Sequence, residues 1–374
     1  MTSHEALILG KKRGPFSVHV VPDTAPGMDE ILVSVRAVAV NPFERLIQSM
    51  GDLITPWMTY PAILGSDVAG DVIAIGSNIT RFKVGDRVAG FAAGGEKGRR
   101  SAEGAFQEQV ILMEKMTTPL PDNLSFEAAS VLPLGLTTAA AGLFQPDFLA
   151  MSHPCVQPAP AGQTLVVWGG STSVGCNAIQ LAVAAGYDVI ATSSLRNAPY
   201  LKSLGARAVY DRHSPSTPSA MIEGLRGREI CGALAIGKGS AKACIDILGS
   251  TKGQRFIAMA TPPVSFDEVP AGRGRWQKLV PALIQMVVGN ISLALRARRR
   301  GVKTKFIWGG APLHNDVGPM IYREFLPSAL ASGQFRPAPE PEVVGHGLQL
   351  ISDALELQRK GVSARKLVVT LGPR

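Results

Sequence analysis

The chain has 374 residues, 46% hydrophobic and 18% charged, with a net charge of +9 and four cysteines. That length asks for more than one hydrophobic core, so two domains are expected, and the composition excludes a disordered or fibrous chain. Apart from Lys97-Gly98-Arg99-Arg100 and Arg296–Arg300 the positive charge is scattered, and neither cluster has interleaved aromatics. This argues against nucleic acid and membrane as partners and leaves an anionic cofactor or substrate.

From the N-terminus, MTSHEALILGKKRG lacks the apolar core and cleavage site of a secretory signal, so a cytoplasmic location is expected. Glu30–Val40 alternates apolar and polar positions as a half-buried strand does, with further strands at Glu5–Leu9, Val68–Ile75, Asp86–Phe91 and Ala105–Leu112. Gly65, Gly70, Gly76 and Gly85 punctuate them, the pattern of a small barrel. A helix is expected from Ser125, its N-cap, and His153–Gly162 is a proline-rich connector. Thr164–Trp168 is a buried strand, followed by a glycine-rich turn, a helix whose face carries Val174, Ala178, Leu181, Ala182 and Ala185, and a second strand at Asp188–Thr192.

The elements then alternate: a helix at Pro199–Leu204, strands at Ala206–Tyr210 and Gly232–Ile236, a helix at Ala241–Leu248 and a strand at Arg255–Ala260. The longest apolar stretch, Leu279–Leu295, contains Pro281, Gln285 and Asn290. It falls short of the roughly 20 residues that span a bilayer and predicts a buried or interface helix. Lys303–Trp308 predicts an edge strand, Val317–Ala331 and His346–Gln358 helices, and Leu367–Leu371 a terminal strand. The alternation gives an α/β fold with a parallel, doubly wound sheet behind a leading β domain. The cysteines at 155, 176, 231 and 244 have no metal or disulfide spacing and predict buried thiols.

The glycine turn carries the first chemistry. Gly169, Gly170, Ser171, Thr172, Ser173, Val174 and Gly175 join a strand to a helix start, where backbone amides can approach a pyrophosphate. An NAD site places Asp or Glu about 20 residues on, for the ribose 2′-OH. Here Ser193 and Ser194 end the second strand, with Arg196, Lys202 and Arg212 following. Hydroxyls and cations suit a 2′-phosphate, so NADPH is the expected cofactor.

With the segments VAVNPFE at 38–44, LGSDVAGDVIAIG at 64–76, FKVGDRVAGF at 82–91, VWGGSTSVG at 167–175 and AAGYDVIAT at 184–192, the chain resembles the medium-chain dehydrogenase/reductase superfamily over nearly its full length. The resemblance is nearest to zinc-free members, the quinone oxidoreductases and fungal trans-acting enoyl reductases. It implies a GroES-like β-barrel catalytic domain over 1–135, an NADP-binding Rossmann domain over 136–309, and a return to the catalytic domain over 310–374. Zinc members place a Cys where this chain has Asn41 and a His where it has Ser66, and their cysteine-rich lobe has no counterpart here. No metal is expected.

Without a Lewis acid to polarise oxygen, hydride delivery to the C=C of an α,β-unsaturated carbonyl is easier than alcohol–ketone interconversion. The resemblance points the same way, toward enones, enoyl thioesters or quinones. By the same resemblance, Asn41 lines the nicotinamide pocket and Thr138 contacts the cofactor. On the residues alone Asn41 is equally a turn residue before Pro42, and Thr138 a helix residue. Tyr60 is a candidate proton donor or a packed aromatic, and Trp308 a pocket wall or an interface residue. Leu46 stands where the trans-acting reductases have lysine, and the Ala233–Gly237 run lacks the acidic residue that often precedes it. Both departures predict an altered substrate, in keeping with secondary metabolism. Open alternatives are a quinone oxidoreductase, a non-redox NADPH-binding protein and a cyclase on the same fold. The partners expected are a small unsaturated carbonyl, a polyketide synthase, and either no second copy or one.

Overall fold

The computed structural model describes residues 2–266, 268–270 and 272–372. The chain forms two compact units, one of Met1–Leu134, Phe266–Lys278 and Tyr322–Arg374, the other of Gly135–Ser265 and Leu279–Ile321.

The first unit opens with β1 (Ser3–Leu9), β2 (Phe16–Pro22) and β3 (Glu30–Ala39). Helix α1 (Pro42–Ile54) follows, then β4 (Ala62–Ile63), β5 (Asp67–Ile75), β6 (Arg87–Phe91), β7 (Gln109–Met113), β8 (Thr117–Pro119) and the short α2 (Phe126–Ser130). In β3 Ile31, Val33 and Val35 face the core in alternation, as its sequence pattern requires. Ser125 caps α2 by accepting from the Ala128 amide, as its position predicted. In this stretch the sequence reading gave no element at β2, α1, β4 or β8. The start of α1 is nonetheless written locally, with Asn41 as N-cap, Pro42 in the first turn and Glu44 three residues on.

The second unit begins inside α3 (Pro133–Phe144). Then come β9 (Gln163–Trp168), α4 (Ser173–Ala184), β10 (Asp188–Ser193), α5 (Ala198–Ser203), β11 (Ala208–Asp211), α6 (Thr217–Gly224) and β12 (Glu229–Ala235). It continues with α7 (Ser240–Leu248), β13 (Lys252–Gly253), β14 (Phe256–Met259), α8 (Arg275–Arg300, which starts in the first unit) and β15 (Lys303–Phe306). The strands pair in parallel in the order β11-β10-β9-β12-β14-β15, with β13 beside β12. The order reverses between β9 and β12, the switch point where ligands of such sheets bind. Val166, Ala233 and Ile257 pack against Cys244, Ile245, Ile247 and Leu248 of α7 on one face.

The chain then returns to the first unit through α9 (Val317–Pro319), α10 (Leu326–Ala331), β16 (Glu340–His346), α11 (Leu350–Lys360) and β17 (Arg365–Thr370). The sheet it completes runs β16-β17-β3-β5-β6-β8, with β7 on β3.

Four expectations are corrected. Val317–Ala331 is not one regular helix: Met320–Phe325 forms a π-helical turn between α9 and α10, and Pro327, lacking an N–H, cannot continue the ordinary ladder. His346 ends a strand rather than starting a helix, because Gly347 turns the backbone at φ +104° before α11. Cys155 is exposed, while Cys176, Cys231 and Cys244 are buried. Leu279–Leu295 is helical, as expected, but of the two expected settings, buried or interface, burial is corrected: Leu279 is covered, while most of the larger apolar side chains after it face outward.

Candidate functional site

The turn between β9 and α4 is built by short-range bonds. Thr172 caps α4: its Oγ1 accepts from the Gly175 amide at 3.0 Å and donates to the Gly169 carbonyl at 2.8 Å. Thr192 of β10 holds the other side, accepting from the Gly169 amide at its hydroxyl and from the Gly170 amide at its carbonyl. The glycines are needed for space. Gly169 sits at φ +93°, and a Cβ on Gly175 would lie 2.3 Å from the Gly169 carbonyl oxygen. Ser171, Thr172, Ser173 and Val174 thus form a tight helix start whose first-turn amides lack intrahelical acceptors. Across the switch point, Gly237 follows β12 at φ +95° with open space where a Cβ would be. This cradle fits a dinucleotide pyrophosphate.

Thr138 is half-buried on α3. One turn before it, Gly135 packs so tightly on the start of α4 that a Cβ would meet Ser173 Oγ at 2.3 Å. Residues three apart share a helix face, so Thr138 stands on the side of α3 that meets the α4 start.

At the end of β10 the predicted residues separate. Ser193 is fully buried, and its hydroxyl donates to the Ser194 carbonyl at 3.1 Å. Ser194 Oγ lies 3.3 Å from His213 Nε2, and Arg212 Nε donates to the same nitrogen at 3.2 Å. Ser194, Arg212 and His213 therefore form one exposed, donor-rich group. Arg196 and Lys202 stand exposed on the turn after β10 and on α5, with no partner among the described residues. The sequence reading missed His213, since nothing local marks it.

The first unit holds a buried polar cluster around Asn41 and Asp67. Asn41 Nδ2 donates to Asp67 Oδ2 at 2.8 Å and to Glu44 Oε1 at 3.2 Å, using both of its hydrogens. Glu44 also accepts from the Asn41 amide at 2.7 Å and from the Ser66 amide at 3.2 Å. Asp67 Oδ1 accepts from the Leu134 amide at 2.5 Å, and Lys366 of β17 pairs its ammonium with Asp67 while donating to the Val131 carbonyl. Burial and the neighbouring Asp67 charge push the Glu44 carboxyl up to about 7. These donors do not fit zinc: they offer no thiolate or imidazole, and an ammonium already answers the Asp67 charge. Among the described residues no three of His, Cys, Asp and Glu gather as a metal would require.

The spacing of Asn41 and Glu44 is a readable capping box, but Lys366, next to Arg365 at the start of β17, gives no local sign of its partner. Tyr60 is half-buried against the first-unit core, with its hydroxyl over Gly51 of α1.

Residues 27–122 match the alcohol dehydrogenase GroES-like domain. The chain is 47% identical to dehydrogenase pigH of Monascus ruber, over 99% of this chain and 100% of that protein. It is 33% identical to trans-enoyl reductase himH of Aspergillus japonicus, over 91% and 90% of the two chains. In fold it is similar to an alcohol dehydrogenase superfamily protein from Novosphingobium aromaticivorans, at TM-score 0.73 and 23% identity over 99% and 100% of the two chains. The GroES-like segment, the parallel sheet with its glycine turn and the full-length relatives together make this chain an oxidoreductase of the medium-chain dehydrogenase/reductase superfamily.

Proposed function

We propose that the protein is an NADPH-dependent, metal-independent reductase of the C=C bond in an α,β-unsaturated carbonyl, an enone or enoyl thioester of secondary metabolism. The observation that carries this reading is the Asn41–Glu44–Asp67–Lys366 cluster, which holds an internal ion pair in place of a metal-binding donor set. Relatives named trans-enoyl reductases support the substrate class. When bound, NADPH supplies a hydride to the β-carbon, and charge then develops on the carbonyl oxygen.

The protein's part is to hold and orient. The glycine turn receives the pyrophosphate against the α4 amides, with Gly169, Gly170 and Gly175 leaving the backbone accessible and Thr172 fixing the turn. Ser194, Arg212 and His213 receive the 2′-phosphate, with Arg196 and Lys202 adding positive charge nearby. Thr138 bounds the nicotinamide end. Asn41 is a positioning residue, its amide hydrogens committed to Glu44 and Asp67, and Tyr60 supplies the proton. Three buried free thiols suit a reducing, cytoplasmic setting.

The test is NADPH oxidation by chelator-treated protein against enones, enoyl thioesters and quinones, with NADH in parallel. The expected result is turnover of enones or enoyl thioesters with NADPH, unchanged by chelator. Arg212→Ala should lower kcat/KM for NADPH about tenfold and leave NADH untouched. Tyr60→Phe should lower kcat with little effect on KM. Preference for NADH, loss of activity with chelator, or turnover of quinones alone would overturn the reading.

A further inference from the structure

The segment Arg273–Lys305 contains nine of the chain's 38 Lys and Arg and none of its 29 Asp and Glu. The other 29 cations are therefore matched by the 29 acids, and the whole net charge of +9 resides in this one segment. The same segment forms α8, whose exposed side is apolar. Val280, Leu283, Ile284, Val287, Val288, Ile291 and Leu295 follow helical spacing along one face, from 38% exposed at Leu283 to 60% at Val288. Scattered exposed apolar residues need no explanation, but a contiguous stripe of this length marks an interaction surface.

The stripe runs into positive charge. Arg298 and Arg299 follow Leu295 by three and four residues and so continue the same face. Beside them, α7 and α8 border a groove of about 520 Å³ lined by Ser240, Lys242, Leu295, Arg296, Arg299 and Arg300. Arg296 is paired with Asp246. Lys242, Arg298, Arg299 and Arg300 have no ion-pair or hydrogen-bond partner for their side chains among the described residues.

These charges decide between occupants. Two copies of α8 paired antiparallel would bring Arg298 and Arg299 toward Arg273 and Lys278 of the other copy, and paired parallel they would stack the arginines on each other. Either arrangement repels. An anionic lipid surface satisfies both halves of the feature, since the stripe enters the acyl boundary while the arginines and the groove take phosphate headgroups. The helix is long and apolar enough to span a bilayer by composition. Its other side is tied down, with Ala297 packed in the sheet-side core and Arg296 bonded to Asp246, which fits a helix lying in the interface plane.

We propose that the outward face of α8 docks the protein on a bilayer surface rich in anionic phospholipid. The experiment is flotation of the full chain with phosphatidylcholine–phosphatidylserine vesicles and with pure phosphatidylcholine vesicles. Variants Val288→Ser/Ile291→Ser and Arg298→Ala/Arg299→Ala alter exposed positions, and unchanged melting temperatures will show that both fold. The expected result is salt-sensitive binding to the anionic vesicles, weakened about 30-fold by the double arginine change and abolished by the double serine change. Absence of binding by the parent, or binding that persists in both variants, would overturn the proposal. A concentration-dependent dimer abolished by Val288→Ser/Ile291→Ser, without vesicle binding, would overturn it too and assign the face to a second copy.

Discussion

The glycine turn of the second unit and the buried cluster of the first are both polar constructions, yet they are assembled in opposite ways. Residues 169–192 supply every hydrogen bond described for the turn, because a tight strand-to-helix connection can only be closed by its neighbours. The cluster draws Asn41, Asp67, Leu134 and Lys366 from four separate stretches, and three of those side chains are nearly or fully buried. The local construction tolerates solvent and depends on backbone space. The distant one depends on charges answering each other where water cannot.

The largest test of that contrast is Lys366→Met. Removing one member of a buried ion pair leaves Asp67 charged and uncompensated, so unfolding stability should fall by about 3–5 kcal/mol, read by denaturant titration. A loss below about 1 kcal/mol would mean that the cluster is wetter than its burial implies.

Glu44 gives the next effect, and it depends on pH. Its carboxyl titrates near 7 in the folded protein against 4.5 in the unfolded chain, so between those values the folded state holds the extra proton. This contribution to stability is fully present below pH 4.5 and is lost as pH rises through about 7, amounting to about 3 kcal/mol. Glu44→Gln should flatten that part of the profile, measured as melting temperature between pH 5 and pH 8 against the parent.

For the turn the effects are smaller and steric. Gly175→Ala places a Cβ against the Gly169 carbonyl, and a cost of about 2 kcal/mol is expected together with loss of NADPH binding by fluorescence titration. Thr172→Ala removes only the cap and should cost about 1 kcal/mol, with weakened rather than abolished binding. Equal effects from these two changes would mean that the cap, and not the space, organises the loop.

The difference between the regions also explains what could be read in advance. The α4 and β10 elements, the Thr172–Gly175 turn and the Ser125 cap follow from side-chain periodicity and from capping chemistry acting over three or four residues. Helix α1 is equally local: Asn41-Pro42-Phe43-Glu44 spells its start, although the sequence reading weighed Asn41 only as a pocket residue or a turn residue before Pro42. Ser193 illustrates the opposite limit. Its place at a strand end suggested a phosphate contact, yet the fold buries it and turns its hydroxyl to the backbone.

The sequence by itself determined the alternation of strands and helices, the glycine turn and the superfamily. These are set by spacing along one chain, which periodicity and short-range sterics read directly. Only the tertiary structure decided that Lys366 lies on Asp67, that His213 joins Ser194 and Arg212, and that the apolar run of α8 faces outward. Burial, and which charge meets which across hundreds of residues, depend on how elements pack, and an apolar stretch carries no mark of whether anything will cover it.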